Sequence, residues 1–284
     1  MKISENTHFL YIMTSSNSLE IRFLQDIAHC SLLLSFHKGL AHDKQTIVAD
    51  IPKADLVSCF NFFDDFNVVS SSDIYEHIKT LDCENLFIVA SCHGDLYGIT
   101  AKTLIRPHDL TESIKHNPHI VNCVAMFGQC YAGIFNHMDL ICEGKHIVYI
   151  GATDMRKGIS SLQTWKLNDT NKWEWCANIF VLHLARWFNS PVDVDNDGKF
   201  TIVDMYKYVS YNTNKKTEDI EKEEAKRYLD ERIKAEIGKL PTDIELGSEM
   251  KMLDEKAVKD LDYMIPHQDC WILNAEDALS ITIE

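Results

Sequence analysis

Five runs of β-branched, aromatic and other apolar side chains recur through the first half of the chain, and the stretches between them carry helical periodicity. The runs are residues 8–13, 46–50, 85–91, 120–127 and 146–152. They are apolar almost throughout rather than alternating with polar residues, which is the pattern of strands buried on both faces. Helical spacing falls in residues 19–36 and 73–81, with Ser71 or Ser72 placed to cap the second. Strand and helix in alternation predict an α/β fold: a mainly parallel central sheet with helices on both faces.

The rest of the chain fits one compact unit. An apolar fraction of 45% over 284 residues is ample for a core, and no repeat or low-complexity tract interrupts it. Beyond residue 152 come a polar loop, a Trp-rich helix over 172–188 and an acidic run over 193–204. In 213–240, Lys/Arg and Asp/Glu are balanced, and Ile220, Tyr228, Leu229, Ile233 and Ile237 recur at roughly helical spacing. Pro241 ends this exposed amphipathic helix, and a last strand is expected around 278–283. Residues 1–212 therefore read as the main domain, with 213–284 as a charged helix and C-terminal extension packed on it.

The net charge of −15 argues against binding a nucleic-acid backbone, which needs clustered Lys and Arg to displace counterions. Residues 1–17 lack a basic segment followed by a long apolar run, and every apolar stretch is shorter than a membrane span. A cytoplasmic protein without a membrane partner is expected. The nine cysteines show no paired CxxC spacing, unlike a disulfide framework or a zinc site, so most read as small core residues. A reducing compartment suits that usage and would keep a catalytic thiol free.

In an open α/β sheet, functional groups gather beyond the carboxyl ends of the strands. The run 85–91 leads into Cys92-His93-Gly94-Asp95, and the run 120–127 leads into Gly128-Gln129-Cys130-Tyr131-Ala132-Gly133. If the two strands pair, His93 and Cys130 face one crevice. A cysteine attacks a carbonyl as its thiolate, so it needs a base or cation nearby and backbone donors for the developing oxyanion. His93 can serve the first need, and the glycines beside both residues let backbone N–H groups approach a substrate closely. The plain alternative is that both are polar residues at strand ends, with His93 satisfied by a carbonyl. Cys92 should point away from the crevice and pack. His116, His119 and His183 read as ordinary surface or core histidines.

The element Ser91-Cys92-His93-Gly94, followed 37 residues on by Gly128-Gln129-Cys130-Tyr131-Ala132-Gly133, resembles the caspase, metacaspase, legumain and gingipain group of cysteine peptidases. The likeness continues through Gly151-Ala152-Thr153-Asp154 to Ile159-Ser160-Ser161, which is similar to the substrate-pocket strand of the group's bacterial members. The resemblance implies a caspase-hemoglobinase fold in which Cys130 attacks the scissile carbonyl and His93 protonates the leaving amine. It also implies an oxyanion hole made by the N–H groups of Gly94 and Cys130. Gly128-Gln129 stands where true caspases carry Gln-Ala, and the His-to-Cys interval is shorter than theirs, so the chain is not a close caspase. Asp154, just past a strand end, can attract a Lys or Arg at the substrate residue before the cleaved bond. It can equally cap a turn or pair with Arg156 or Lys157, and a pocket arginine favouring an acidic residue remains open.

Residues 193–204 place acids at loop positions 1, 3, 5 and 12 (Asp193, Asp195, Asp197, Asp204) and glycine at position 6 (Gly198). That is the calcium-loop pattern of an EF-hand, with Lys199 giving its carbonyl at position 7. Asp204 replaces the usual bidentate Glu. The same residues also suit a glycine turn that caps the next helix through Asp or Thr. Bacterial caspase-like proteins often carry such a loop here, so the resemblance implies a structural or regulatory Ca2+, with no cofactor needed for the chemistry. The leading function is endopeptidase cleavage of a protein or peptide substrate. The alternatives are a catalytically silent caspase-like, calcium-binding interaction module, and acyl transfer by the same dyad.

Overall fold

The computed structural model describes residues 3, 5–14, 20–158, 160–166, 172–237 and 268–284. Its strands, in chain order, are β1 (Thr7–Ile12), β2 (Gln45–Val48), β3 (Asn67–Val69), β4 (Asn85–Ala90), β5 (Gly94–Asp95), β6 (Gly98–Ile99), β7 (Asn122–Phe127), β8 (His146–Gly151), β9 (Ser160–Lys166), β10 (Lys172–Asn178) and β11 (Trp271–Leu273). Seven of them form the central sheet in the order β11-β8-β7-β4-β1-β2-β3. All neighbours pair in parallel except β11, which runs antiparallel on β8. The five apolar runs supply β1, β2, β4, β7 and β8, and β1 and β4 are buried along their whole length.

Helices α1 (Ile21–Lys38), α2 (Lys53–Cys59), α3 (Ile74–Thr80), α4 (Pro107–His116), α5 (Ile179–Asn189), α6 (Ile202–Ile237) and α7 (Ala275–Ser280) complete the frame. Alternate strand residues face two separate cores, as the period-two geometry of a strand requires. On one face Phe9, Tyr11, Phe87, Val89, Val124 and Met126 meet α1, α5 and α6 through Leu24, Ile27, Phe180, Leu184 and Met205. On the other, Leu10, Leu86, Ile88, Ala125 and Phe127 meet α3 and α4 through Ile78, Leu110 and Ile114. The sheet is thus mainly parallel with helices on both faces, as the alternation predicts.

Several expectations need correction. Residues 172–178 are the strand β10, antiparallel to β9, and helix begins only at Ile179. Trp173 and Trp175 recur at period two, which is a strand spacing. Asn178 ends the strand and caps α5, its Oδ1 accepting from the N–H groups of Phe180 at 3.0 Å and Val181 at 3.4 Å. Residues 278–283 are not a strand. The last strand is β11, after which Asn274 turns through φ 67° into α7, and only Thr282 bridges, to Thr201. Neither Ser71 nor Ser72 caps α3, which Asp73 precedes. Ser71 instead donates its N–H to Asp50 Oδ1 and accepts from Thr103 N–H, tying two loops together.

The boundary drawn after residue 212 falls inside α6, which runs unbroken through it, and β11 is part of the main sheet. Thr213 and Thr217 are buried, and Thr217 Oγ1 bonds Gln268 Oε1 at 3.0 Å, so this part of α6 faces the C-terminal segment. The apolar spacing from Ile220 to Ile237 falls on side chains outside the described residues, as does Pro241. Among the described residues no helix is long and apolar enough to cross a membrane.

Candidate active site

Strands β4 and β7 pair in register from Asn85 opposite Asn122 to Ala90 opposite Phe127. The ladder continues one step further, with Gly128 N–H donating to Ala90 O at 2.9 Å. His93 and Cys130 each lie three residues past their strand's last paired residue, on neighbouring strands about 4.8 Å apart. The topology therefore brings the two sequence-selected side chains to one rim of the sheet. Cys92 is buried, and burial drives its thiol far above the usual range, so it packs as expected.

Gly94 is where the two turns touch. A Cβ there would collide with the Cys130 carbonyl oxygen and stand 2.5 Å from Gln129 Cγ. Only a residue without a side chain allows this approach. Thr100 N–H donates to His93 O at 3.0 Å, which makes Gly94 and Ile99 the non-hydrogen-bonded pair of the β5–β6 hairpin. The Gly94 N–H thus points out of that ladder.

Cys130 is half-buried, and its Sγ accepts from Gly158 N–H at 3.3 Å. Tyr131 follows it at φ 57°, an uncommon left-handed conformation for a residue with a side chain. The segment 154–158 holds that turn: Tyr131 N–H donates to Arg156 O at 2.7 Å and Gly133 N–H to Asp154 O at 3.0 Å. Asp154 therefore lies beside the cysteine turn, past the end of β8. Its Oδ2 stands 3.8 Å from Arg156 Nε, while its buried Oδ1 has no hydrogen-bond partner among the described residues.

Sequence inspection missed the groups around His93. Its Nε2 meets Glu20 Oε1 at 2.5 Å, and Glu20 Oε2 takes two contacts from Arg22, Nε at 2.8 Å and Nη2 at 2.7 Å. Phe23 stands roughly perpendicular to the imidazole, its ring centroid 5.1 Å away. Burial works to raise the Glu20 carboxyl, but the hydrogen bonds and charges of His93 and Arg22 outweigh it and hold the group below its usual range.

Beneath the rim, Asp26 joins three elements. Its Oδ2 accepts from Ser91 Oγ at 2.7 Å, just past β4, and from Asn178 N–H at 2.9 Å, where β10 becomes α5. Asn178 Nδ2 in turn donates to Gly128 O at the end of β7. Burial pushes the Asp26 carboxyl up to about 8, against the pull of the Asn178 and Ser91 hydrogen bonds and the Arg22 charge. Asp26 carries no local sequence signal, because it reaches Ser91 across 65 positions and Asn178 across 152, whereas Asn178 also caps α5 locally and reaches Gly128 across 50.

The acidic loop divides into two parts. Asp193, Asp195 and Asp197 bring one carboxylate oxygen each within 4.8 Å of the others. Positive φ at Asn196 (60°) and Gly198 (85°) curls the chain around them. Asp204 stands apart as the far half of a capping box: its Oδ2 accepts from Thr201 N–H at 2.9 Å, and Thr201 Oγ1 accepts from Asp204 N–H at 3.1 Å. Asp204 Oδ1 also accepts from Val194 N–H, so both its oxygens are engaged.

No family model matches the chain, and no curated protein matches it in sequence. A crystal structure of drICE aligns with 73% of this chain and 81% of its own, at 13% identity and a TM-score of 0.36. A secreted C11 cysteine protease from Bacteroides thetaiotaomicron, solved with an irreversible peptide inhibitor, aligns with 75% of this chain at 11% identity and a TM-score of 0.34. The chain spans 60% of that protease's length. These alignments assign no residue.

Proposed function

We propose that the chain is a caspase-like cysteine endopeptidase in which Cys130 is the nucleophile and His93 its proton-transfer partner. The observation that carries this reading is the in-register placement of His93 and Cys130 beyond two paired parallel strands, with Gly94 seated against the Cys130 carbonyl. Cys130 attacks the scissile carbonyl as a thiolate, and the N–H groups of Gly94 and Cys130 receive the oxyanion. His93 protonates the leaving amine. The same imidazole then takes a proton from the water that hydrolyses the thioester.

The substrate is a peptide or protein, and Asp154 beside the cysteine turn receives a Lys or Arg before the cleaved bond. Asp154 supports that preference, since its Oδ1 has no hydrogen-bond partner among the described residues and its contact with exposed Arg156 is long at 3.8 Å. Fluorogenic peptides varied at this one residue test both points. Wild type should release amine product fastest from Lys or Arg peptides, and Asp154→Ala should lose the preference while cleaving other peptides. Cleavage confined to acidic residues would overturn the pocket assignment, and release from no peptide would favour the silent interaction module.

A calcium ion suits the carboxylates of Asp193, Asp195 and Asp197 together with the Lys199 carbonyl, as oxygen ligands on a curled loop. The capping role of Asp204 takes away the twelfth-position ligand, which puts the expected affinity towards the weak end of such loops, roughly 10⁻⁴–10⁻³ M. Calcium at ten times its Kd would stabilise the folded state by about 1.4 kcal/mol, a rise in Tm of a few degrees. Asp193→Ala with Asp197→Ala should abolish the calcium-dependent part of Tm. An unchanged wild-type Tm with millimolar calcium leaves the loop as a helix cap alone.

A further inference from the structure

We propose that Glu20 is a positioning residue for the reaction: as a carboxylate it holds the Nε2–H of His93, so that the proton exchanged with substrate travels on Nδ1. The inference rests on the peptidase reading.

Three observations carry it. The Glu20–His93 contact is 2.5 Å, joining groups 73 positions apart in sequence, so it is a tertiary arrangement and not a by-product of local helix geometry. Glu20 precedes α1, and its carbonyl accepts from Phe23 N–H at 3.1 Å and Leu24 N–H at 3.3 Å, which anchors its backbone. Its side chain makes no capping hydrogen bond to the helix it begins. The carboxylate is turned to the imidazole instead. Finally, Arg22 grips the second oxygen with Nε and Nη2, the latter also 3.4 Å from His93 Nε2, and lays its guanidinium 4.5 Å from the centre of the Phe23 ring, which stands T-shaped to the imidazole. Carboxylate, guanidinium and both rings brace one another.

The consequence for the chemistry is a fixed tautomer. With Nε2–H given to Glu20, Nδ1–H of the imidazolium passes to the leaving nitrogen as the C–N bond breaks and the thioester to Cys130 forms. His93 is left neutral with its proton on Nε2. Water then adds to the thioester and gives a proton to Nδ1. The C–S bond breaks and the Cys130 thiolate returns beside an imidazolium.

The test uses the full chain and the variants Glu20→Ala and His93→Ala. Glu20→Ala should lower kcat by about 10²-fold, because it releases the orientation of a general acid–base group, while KM stays within about threefold. Proton NMR supplies a readout that does not depend on turnover. Wild type should show a strongly downfield imidazole N–H resonance, absent in His93→Ala and lost in Glu20→Ala. If wild type cleaves peptides and Glu20→Ala matches its kcat, the positioning role is wrong and the Cys130/His93 reading stands. If wild type cleaves no peptide, the peptidase reading fails and the resonance alone decides: lost on removing Glu20, it upholds the hold on Nε2, and missing from wild type, it overturns it.

Discussion

Replacing Cys130 with alanine should reduce peptide cleavage to background and leave the folding stability within about 1 kcal/mol of wild type, since a half-buried strand-end position accepts the smaller side chain. Cys92, its neighbour across the turn, is buried and its thiol is raised well out of the ionising range. Cys92→Ala should therefore cleave at the wild-type rate. His93→Ala should lose about 10²–10⁴-fold, the usual contribution of a general acid–base group. Rates are read on one fluorogenic peptide, with circular dichroism to verify folding. Turnover by purified Cys130→Ala would remove the nucleophile assignment.

Gly94→Ala is the second large effect, and it comes from sterics. The added Cβ would meet the Cys130 carbonyl oxygen and Gln129 Cγ, both inside contact distance, with backbone on one side and a buried side chain on the other. Overpacking of this kind costs about 1–3 kcal/mol of stability. The turn can yield only by moving His93 or Cys130 apart, which also shifts a proposed oxyanion donor; losing such a donor costs about 10²–10³-fold in kcat. Gly158→Ala is the matched control. Its nearest neighbour among the described residues would be Gln268 Nε2 at 3.5 Å, ordinary van der Waals contact, so its thermal melt should stay close to wild type. Gly94→Ala with wild-type kcat and Tm would mean the two turns do not meet as described.

Much of this frame is legible in the sequence, and the reason is physical. Strands buried on both faces must be continuously apolar, so β1, β4, β7 and β8 stand out as runs, and the turns that follow β4 and β7 are marked by glycine. Pairing between β4 and β7 is a tertiary feature that the sequence leaves open and the structure supplies. What hides is whatever depends on distant chain. Glu20, Arg22 and Asp26 belong to the start of α1 and show no local sign that they reach His93 and Ser91. The three-residue β3 and the antiparallel β11 are too short for a periodic signal. Two signals were present but outweighed by competing ones. The sequence reads as a Trp-rich helix over 172–188, and over 172–178 the period of two favours the strand that forms. The Thr201-x-x-Asp204 capping box overlapped the calcium-loop pattern, and Asp204 belongs to the cap.

The central claim is that Cys130 is a nucleophile served by His93 and aimed at a peptide carbonyl. Its most direct measurement is mass-spectrometric mapping of the adduct after incubating the full chain with a peptide electrophile bearing Lys or Arg before the reactive carbon. One adduct on Cys130, slowed in His93→Ala and absent in Cys130→Ala, is the predicted result. Labelling spread over the other cysteines, or an unmodified Cys130 in wild type under the same conditions, would contradict it.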